Sequence, residues 1–519
     1  MTSSLLVLGT SSGAGKTTVV TGLCRWLHRQ GVSVAPFKAQ NMSLNSYVTA
    51  EQGEMGRAQV VQAQAAGVAP EVAMNPVLLK PGSDTSSQVI VMGRPVGNLD
   101  ATSGWRRKHA LLETVLEAFH DLQDRFDVVI CEGAGSPAEL NLRSSDIVNL
   151  GFARAADVPA LLVGDIDRGG VFASLIGTLA VLDPEDQAHI RGFIINKFRG
   201  SKALLADGVD RLAVLTGRPT FGVLPMVRGL EIDAEDITDV SSWADPVPPV
   251  GDEVLTIGVV AFPRASNLTD VDPLVDEPGV VLRALYRPEQ MTDCDLVILP
   301  GTRATVNDLA WLRARGFEQA LGSRAREGRP IFGICGGYQM LGTVIDDDVE
   351  SGLGRVSGLG LLPVRTRFHP TKVVAQTRRT LEDGTTITGY QIHHGRVTVE
   401  GGRELFSGEG CVSGSVSGST WHGLLENDEW RRRFVTDVAR SAGRRFVVAS
   451  GTDFARRREE RIDALADLIE EHLDTAALQE LLDEPRRHTA QRVTLHLEHG
   501  GRRPPAGRGR GHDPSSDAT

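Results

Sequence analysis

The sequence has few cysteines and no long apolar run. Its five cysteines, Cys24, Cys131, Cys294, Cys335 and Cys411, stand far apart among 519 residues with no CxxC pair. That spacing offers neither a disulfide framework nor a cysteine-based zinc site. No stretch approaches the roughly 18 apolar residues of a membrane helix, and no basic n-region precedes the first apolar run. A reducing cytoplasm is therefore the expected setting, without a membrane. Positive charge is also in deficit: 55 Lys and Arg against 66 Asp and Glu leave a formal net charge of -11. Such a balance excludes a nucleic-acid-binding body, although the last residues are locally basic. Internal repeats are missing too.

What remains is a globular chain, 41% hydrophobic and 23% charged, long enough for at least two cores at about 100–200 residues per domain. From residue 4 to about 240, short apolar runs such as "SLLVLGT", "VSVAPFK", "FDVVICEGAG", "PALLVGDID" and "IRGFIINKF" alternate with helical patterns. That alternation predicts an α/β fold with a parallel sheet over residues 1–240. The acidic, proline-rich "SSWADPVPPVGDE" at 241–253 reads as a linker. A second strand series, "LTIGVVAFP", "CDLVILPGT" and "RPIFGICGG", opens another α/β domain over 254–445 that becomes β-rich near "GYQIHHGRVTVE". In 446–475, Ile462, Leu465, Leu468, Ile469 and Leu473 share one helical face; that helix is expected to pack on the second domain. Residues 476–519 hold too little apolar material to order themselves and are expected to be disordered.

At the end of the first strand stands "GTSSGAGKTT". Gly13 and Gly15 let backbone N–H groups close on phosphates, Lys16 reaches the outer phosphates, and the Thr17 hydroxyl, with Thr18 beside it, faces a Mg²⁺ ion. The first glycine of the GxxxxGK[ST] pattern is replaced by Thr10, with Gly9 one residue earlier. A glycine turn made for packing alone would not need Lys16 and two threonines. In "DVVICEGAGSPAEL", Glu132 follows an apolar strand, where it either joins the Mg²⁺ shell opposite Thr17 or caps a helix. Asp165 and Asp167, with Arg168 beside them, fit either a metal role or loop-capping. Lys38 ends the second strand either in a cleft or on a solvated loop.

The apolar strand "PIFGI" delivers Cys335 to Gly336 and Gly337, the layout of a nucleophile elbow. A buried structural cysteine is the alternative. "LPGTRATVND" places a second glycine turn at a strand end, so an N–H near Gly301 and Thr302 can join the one after Cys335 in an oxyanion hole. For a base, His422 in "STWHGLLEND" competes with His393 and His394, and spacing does not choose among them.

"GICGGYQMLG" with "WHGLLEN" resembles class I glutamine amidotransferase domains. Together with "GTSSGAGKTT", "FKAQNMSLNS", "CEGAGSPAELNL", "GDIDRGGVFAS", "INKFRG", "LPGT" and "GYQIHHGR", nearly the whole chain resembles the adenosylcobyric acid synthase family. The resemblance implies a dethiobiotin-synthetase-like P-loop domain using ATP and Mg²⁺, joined to a glutaminase domain with Cys335 as nucleophile and His422 as base. Its implied reaction is amidation of four corrin carboxylates with glutamine as nitrogen donor. Amidotransferase triads carry a carboxylate two residues after the histidine, but Leu424 stands there; either Glu426 orients His422 or the site is a dyad. Two rivals remain: a sister amidase that makes the corrin a,c-diamide, and a P-loop switch ATPase of the partitioning type. The latter carries an extra lysine where this chain has Ser11, and has no use for an amidotransferase domain.

Overall fold

The computed structural model describes residues 3–82, 86–100, 105–227, 229–230, 246–483 and 492–494. In the first domain, strands β1 (Ser3–Gly9), β2 (Val34–Phe37), β3 (Val128–Glu132), β4 (Ala160–Asp165), β5 (Ile190–Phe198) and β6 (Thr220–Pro225) form one sheet in the order β6-β5-β4-β1-β3-β2. Every pairing in it is parallel. The central β1 is apolar on both faces: Leu6 and Leu8 enter one core, Leu5 and Val7 the other. This two-sided burial requires helices above and below the sheet. Helix α1 (Lys16–Arg29) follows β1 directly, so the glycine loop sits at the carboxyl ends of β1 and β3, where ligands enter such sheets.

The second domain repeats the plan. Its strands β7 (Leu255–Val260), β8 (Val280–Leu285), β9 (Leu296–Leu299), β10 (Ile331–Ile334), β11 (Cys411–Ser413) and β12 (Val416–Ser419) are ordered β8-β7-β9-β10-β12-β11. All pair in parallel except the edge strand β11. Beside this sheet, Val364–Thr380 and Thr386–Val399 form a long antiparallel hairpin that touches the first domain, with Gln376 Nε2 donating to the Val48 carbonyl at 2.9 Å. All five cysteines are free thiols, and no described helix is long and apolar enough to cross a membrane.

The end of the chain departs from expectation. Helix α2 (Phe454–His472) turns its stripe toward the first domain, not the second: Ile462, Ala466, Ile469 and Leu473 join the core of Val19, Val20 and Leu23. A Cβ added to Gly22 of α1 would stand 2.7 Å from Ile469 and 2.8 Å from the Leu465 carbonyl, so the two helices meet backbone to backbone. Periodicity reports that a helix has an apolar face and is silent about the partner. Residues 476–483 are not disordered either. Helix α3 (Thr475–Asp483) buries Leu478, Leu481 and Leu482 in that same core; three leucines in nine residues sufficed. Residues 484–491 and 495–519 lie outside the described set. Ile469→Ala should lower the stability of the first domain by about 2–5 kcal/mol, the usual cost of emptying a buried isoleucine site. A urea midpoint equal to the parent's would remove α2 from that core.

Candidate functional site

The first site grows from β1 and α1. Gly15 adopts a φ of 95° as the helix N-cap, and a Cβ there would fall 2.0 Å from Asn196 Nδ2, so glycine is required on both counts. Lys16 is buried; its Nζ donates to the Ser11 carbonyl at 3.1 Å and the Gly135 carbonyl at 3.0 Å. Gly13 borders the cavity in front of Lys16, and Thr18 is exposed at the start of the same helix. Thr17 Oγ1 donates to Glu132 Oε1 at 2.9 Å, and Lys38 Nζ reaches the same oxygen at 2.8 Å. Gln62 donates to the other carboxylate oxygen. Lys38 is therefore a buried cleft residue rather than part of a solvated loop.

Asp165 lies at the strand end but accepts from Lys197 Nζ at 3.0 Å and from the Asp167 N–H at 2.9 Å. Arg168 stands 3.6 Å from Asp165, and Asp167 pairs with Arg199 at 3.1 Å. Those contacts fit loop-capping. Among the described residues, no three His, Cys, Asp or Glu side chains gather as a metal cage. Thr17 and Glu132 still fit Mg²⁺, which takes one or two protein oxygens and completes its shell with phosphates and water. In front of Lys16 opens a cavity of about 330 Å³ whose lining includes Lys38, Asn41, Met42, Ser136 and Leu142. "FKAQNMSLNS" and "CEGAGSPAELNL" thus wall one cleft.

The second site grows from β10. Cys335 has φ 49° and ψ -107°, a conformation that non-glycine residues rarely adopt and that turns the strand sharply into helix Gly336–Leu341. Its N–H donates to the Ser419 carbonyl of β12 at 2.8 Å. The next residue, Gly336, backs onto Thr302, whose backbone nitrogen would lie 3.1 Å from an added Cβ. The backbones that the oxyanion reading pairs, at Gly336 and Thr302, therefore lie side by side next to Cys335. The Thr302 hydroxyl is held by Asp308, whose carboxyl burial pushes up to about 6.

Of the three candidate histidines, His422 carries a carboxylate: its Nδ1 lies 2.7 Å from Asp270 Oδ2. The other oxygen of Asp270 accepts the Gly423 N–H at 2.7 Å. Burial opposes a charge on the ring, but Asp270 and then Cys335, each also hydrogen-bonded to it, lift its pKa to about 10. His393 instead contacts Gln391 at 3.0 Å, and burial lowers its pKa to about 4. His394 faces the His369 carbonyl at 3.0 Å. Glu426 does not orient His422; it is drawn off by Arg57 of the first domain at 2.6 Å. The site is also more than a dyad, because Asp270 supplies the third group.

Asp270 went unrecognised because it lies 152 positions before His422 and its "NLTD" resembles any loop. The only available signal was an acid in the turn after the first strand of the domain. Since the ring holds its proton more tightly in the fold than in the open chain, this pairing stabilises the domain fully below about 6.5 and is lost as pH rises through about 10. Asp270→Asn should cut glutamine hydrolysis by about 10²–10⁴-fold and move its alkaline limb to lower pH. An unaltered pH profile would deny Asp270 that role.

Two family models match the chain. A CobQ/CobB/MinD/ParA nucleotide binding domain spans residues 5–238, and a CobB/CobQ-like glutamine amidotransferase domain spans residues 256–430. Curated relatives named cobyric acid synthase align over nearly their full lengths. The Streptomyces avermitilis protein is 57% identical, with 93% of this chain and 97% of that protein aligned. The Frankia casuarinae protein is 54% identical over the same shares, and that of Mycolicibacterium paratuberculosis 53%, with 93% and 98% aligned. A nucleotide-binding P-loop domain and a buried thiol–imidazole–carboxylate line on one chain, matched end to end by these relatives, make this chain a member of the cobyric acid synthase family, glutamine-dependent amide ligases of cobalamin biosynthesis.

Proposed function

We propose that the chain amidates the b, d, e and g carboxylates of adenosylcobyrinic acid a,c-diamide, using ATP and glutamine, to give adenosylcobyric acid. The observation carrying this reading is the Asp270–His422–Cys335 line in a chain whose other half opens a cavity at Lys16. The Cys335 thiol gives its proton to His422 and attacks the glutamine carboxamide. The oxyanion faces the N–H groups near Gly336 and Thr302. His422 returns the proton to the leaving ammonia, and water then frees glutamate from the thioester.

In the first domain a corrin carboxylate attacks the γ-phosphate of ATP, releasing ADP and forming an acyl phosphate; ammonia then attacks the acyl carbon, forming the amide and expelling phosphate, a far better leaving group than the carboxylate oxygen. Lys16 supports the transferring group, with Gly13, Gly15 and Thr18 around the phosphates. Thr17 and Glu132 would hold Mg²⁺, which supplies positive charge against the phosphate oxygens. Met42 and Leu142, 55% and 51% exposed at the cavity, offer apolar surface to a macrocycle whose charged arms reach inward. The cobalt belongs to the substrate.

Four arms must visit one phosphate site, so partly amidated corrins should be released and rebound. With limiting ATP, mass spectrometry of the a,c-diamide product mixture should show successive single-amide increments. No gain on that corrin while glutamine is hydrolysed would reject this substrate in favour of the sister amidase reaction.

A further inference from the structure

The hairpin Ser46–Val48/Glu54–Gly56 of the first domain lies against the second domain beside the His422 site. Asn267 of the second domain stands at the junction, 3% exposed. Its Oδ1 accepts the Ser46 N–H at 2.9 Å, and its Nδ2 donates to the Tyr390 hydroxyl at 3.2 Å. Its own carbonyl accepts the Asp270 N–H at 2.9 Å, so it begins the turn that carries the carboxylate.

Tyr390 in turn backs the histidine. Its ring stacks on His422 with centroids 5.4 Å apart and planes 24° apart. The two residues also exchange backbone hydrogen bonds at 3.0 and 2.8 Å. Tyr47 of the hairpin meets the Tyr390 ring edge-on at 5.1 Å, with the Arg57 guanidinium 5.3 Å from the Tyr47 centroid. Asn267 therefore contacts the hairpin, the ring behind His422 and the turn of Asp270. It does so in the left-handed region, φ 54°, which asparagine tolerates better than most side chains. That tolerance accounts for the backbone; it does not account for both amide atoms meeting these two partners.

We propose that Asn267 is a positioning residue for the glutaminase site, its amide fastening Tyr390 and the Asp270 turn to the hairpin of the nucleotide domain, so that glutamine hydrolysis depends on this one amide contact rather than on hairpin docking in general. The proposal rests on the glutaminase reading of Cys335 and His422. It ties the base that frees ammonia to the domain that consumes it.

The test uses the full-length chain, measuring glutamate release and, separately, amidation from ammonium. Asn267→Gly keeps the left-handed backbone and removes only the amide. It should lower kcat for glutamine about 10–100-fold, the scale of a small misplacement remote from the chemistry. KM and ammonium-dependent amidation should stay within about twofold. Tyr47→Leu should shift kcat in the same direction. Gln376→Ala, which deletes another hydrogen bond to this hairpin, should keep kcat within about twofold.

Parental kcat in Asn267→Gly would overturn the proposal. So would an equal loss in Gln376→Ala, which would make general docking the cause, or a parallel loss of ammonium-dependent amidation, which would make Asn267 structural. If the parent chain released no glutamate at all, the glutaminase reading would fall, and this proposal with it.

Discussion

Cys335→Ala should abolish amidation from glutamine, by on the order of 10³-fold or more, while amidation from ammonium salts continues at the parental rate. The size follows from losing the nucleophile itself: base and oxyanion donors remain, but no thioester forms, and such units fail nearly completely when one member is removed. Survival of the ammonium reaction follows from separation. Cys335 sits in the second domain at the end of β10, whereas Lys16, Thr17 and Glu132 lie at the carboxyl ends of β1 and β3 in the first. Alanine also removes little volume, and a Cβ is already accommodated at that φ. The measurement is paired rates from the two nitrogen sources. Glutamate release persisting in the variant would discard the nucleophile assignment, and collapse of both reactions would mean that the thiol supports the fold.

Lys16→Ala should stop amidation from either nitrogen source, because both need the activated carboxylate. Loss of one preorganised cation at the transferring phosphoryl group is expected to cost on the order of 10²–10³-fold. Glutamate release by the second domain should persist. These variants thus fail in opposite patterns, one losing a nitrogen source and the other losing the acceptor. Ammonium-dependent turnover surviving in Lys16→Ala would remove the lysine from the phosphate site.

Local patterns made both centres readable. "GAGKT" and "GICGG" each compress strand, turn and helix into a few residues, and their backbone demands are met within the same window: φ 95° at Gly15 and 49° at Cys335. Partners brought by topology were less accessible. Asp270 reaches His422 from another strand's loop, and nothing near "WHGLLEN" announces it. Glu426 was a sound local candidate that lost to Arg57, a residue 369 positions away. For Lys38 the sequence favoured a cleft over a solvated loop, and burial against Glu132 decided for the cleft. The α2 stripe announced packing without naming the surface.

That misassigned helix makes the second domain an insertion. The nucleotide-binding half is assembled from two separated stretches of chain, with α2 and α3 returning to it after the amidotransferase half is complete. The chain therefore crosses between the halves twice, and each crossing is a tether. Cutting 241–253 would leave the pieces interlocked, since the carboxyl-terminal fragment carries Ile462, Ile469 and Leu478 as part of the other fragment's core. At a cut site of that kind, reassociation resembles fragment complementation more than the docking of two finished modules. Expressing residues 1–240 alone would yield a body with a missing wall, the face of α1 around Gly22 open to water. The natural unit for separating the two activities is the amidotransferase insert, excised with the nucleotide domain rejoined across the gap it leaves.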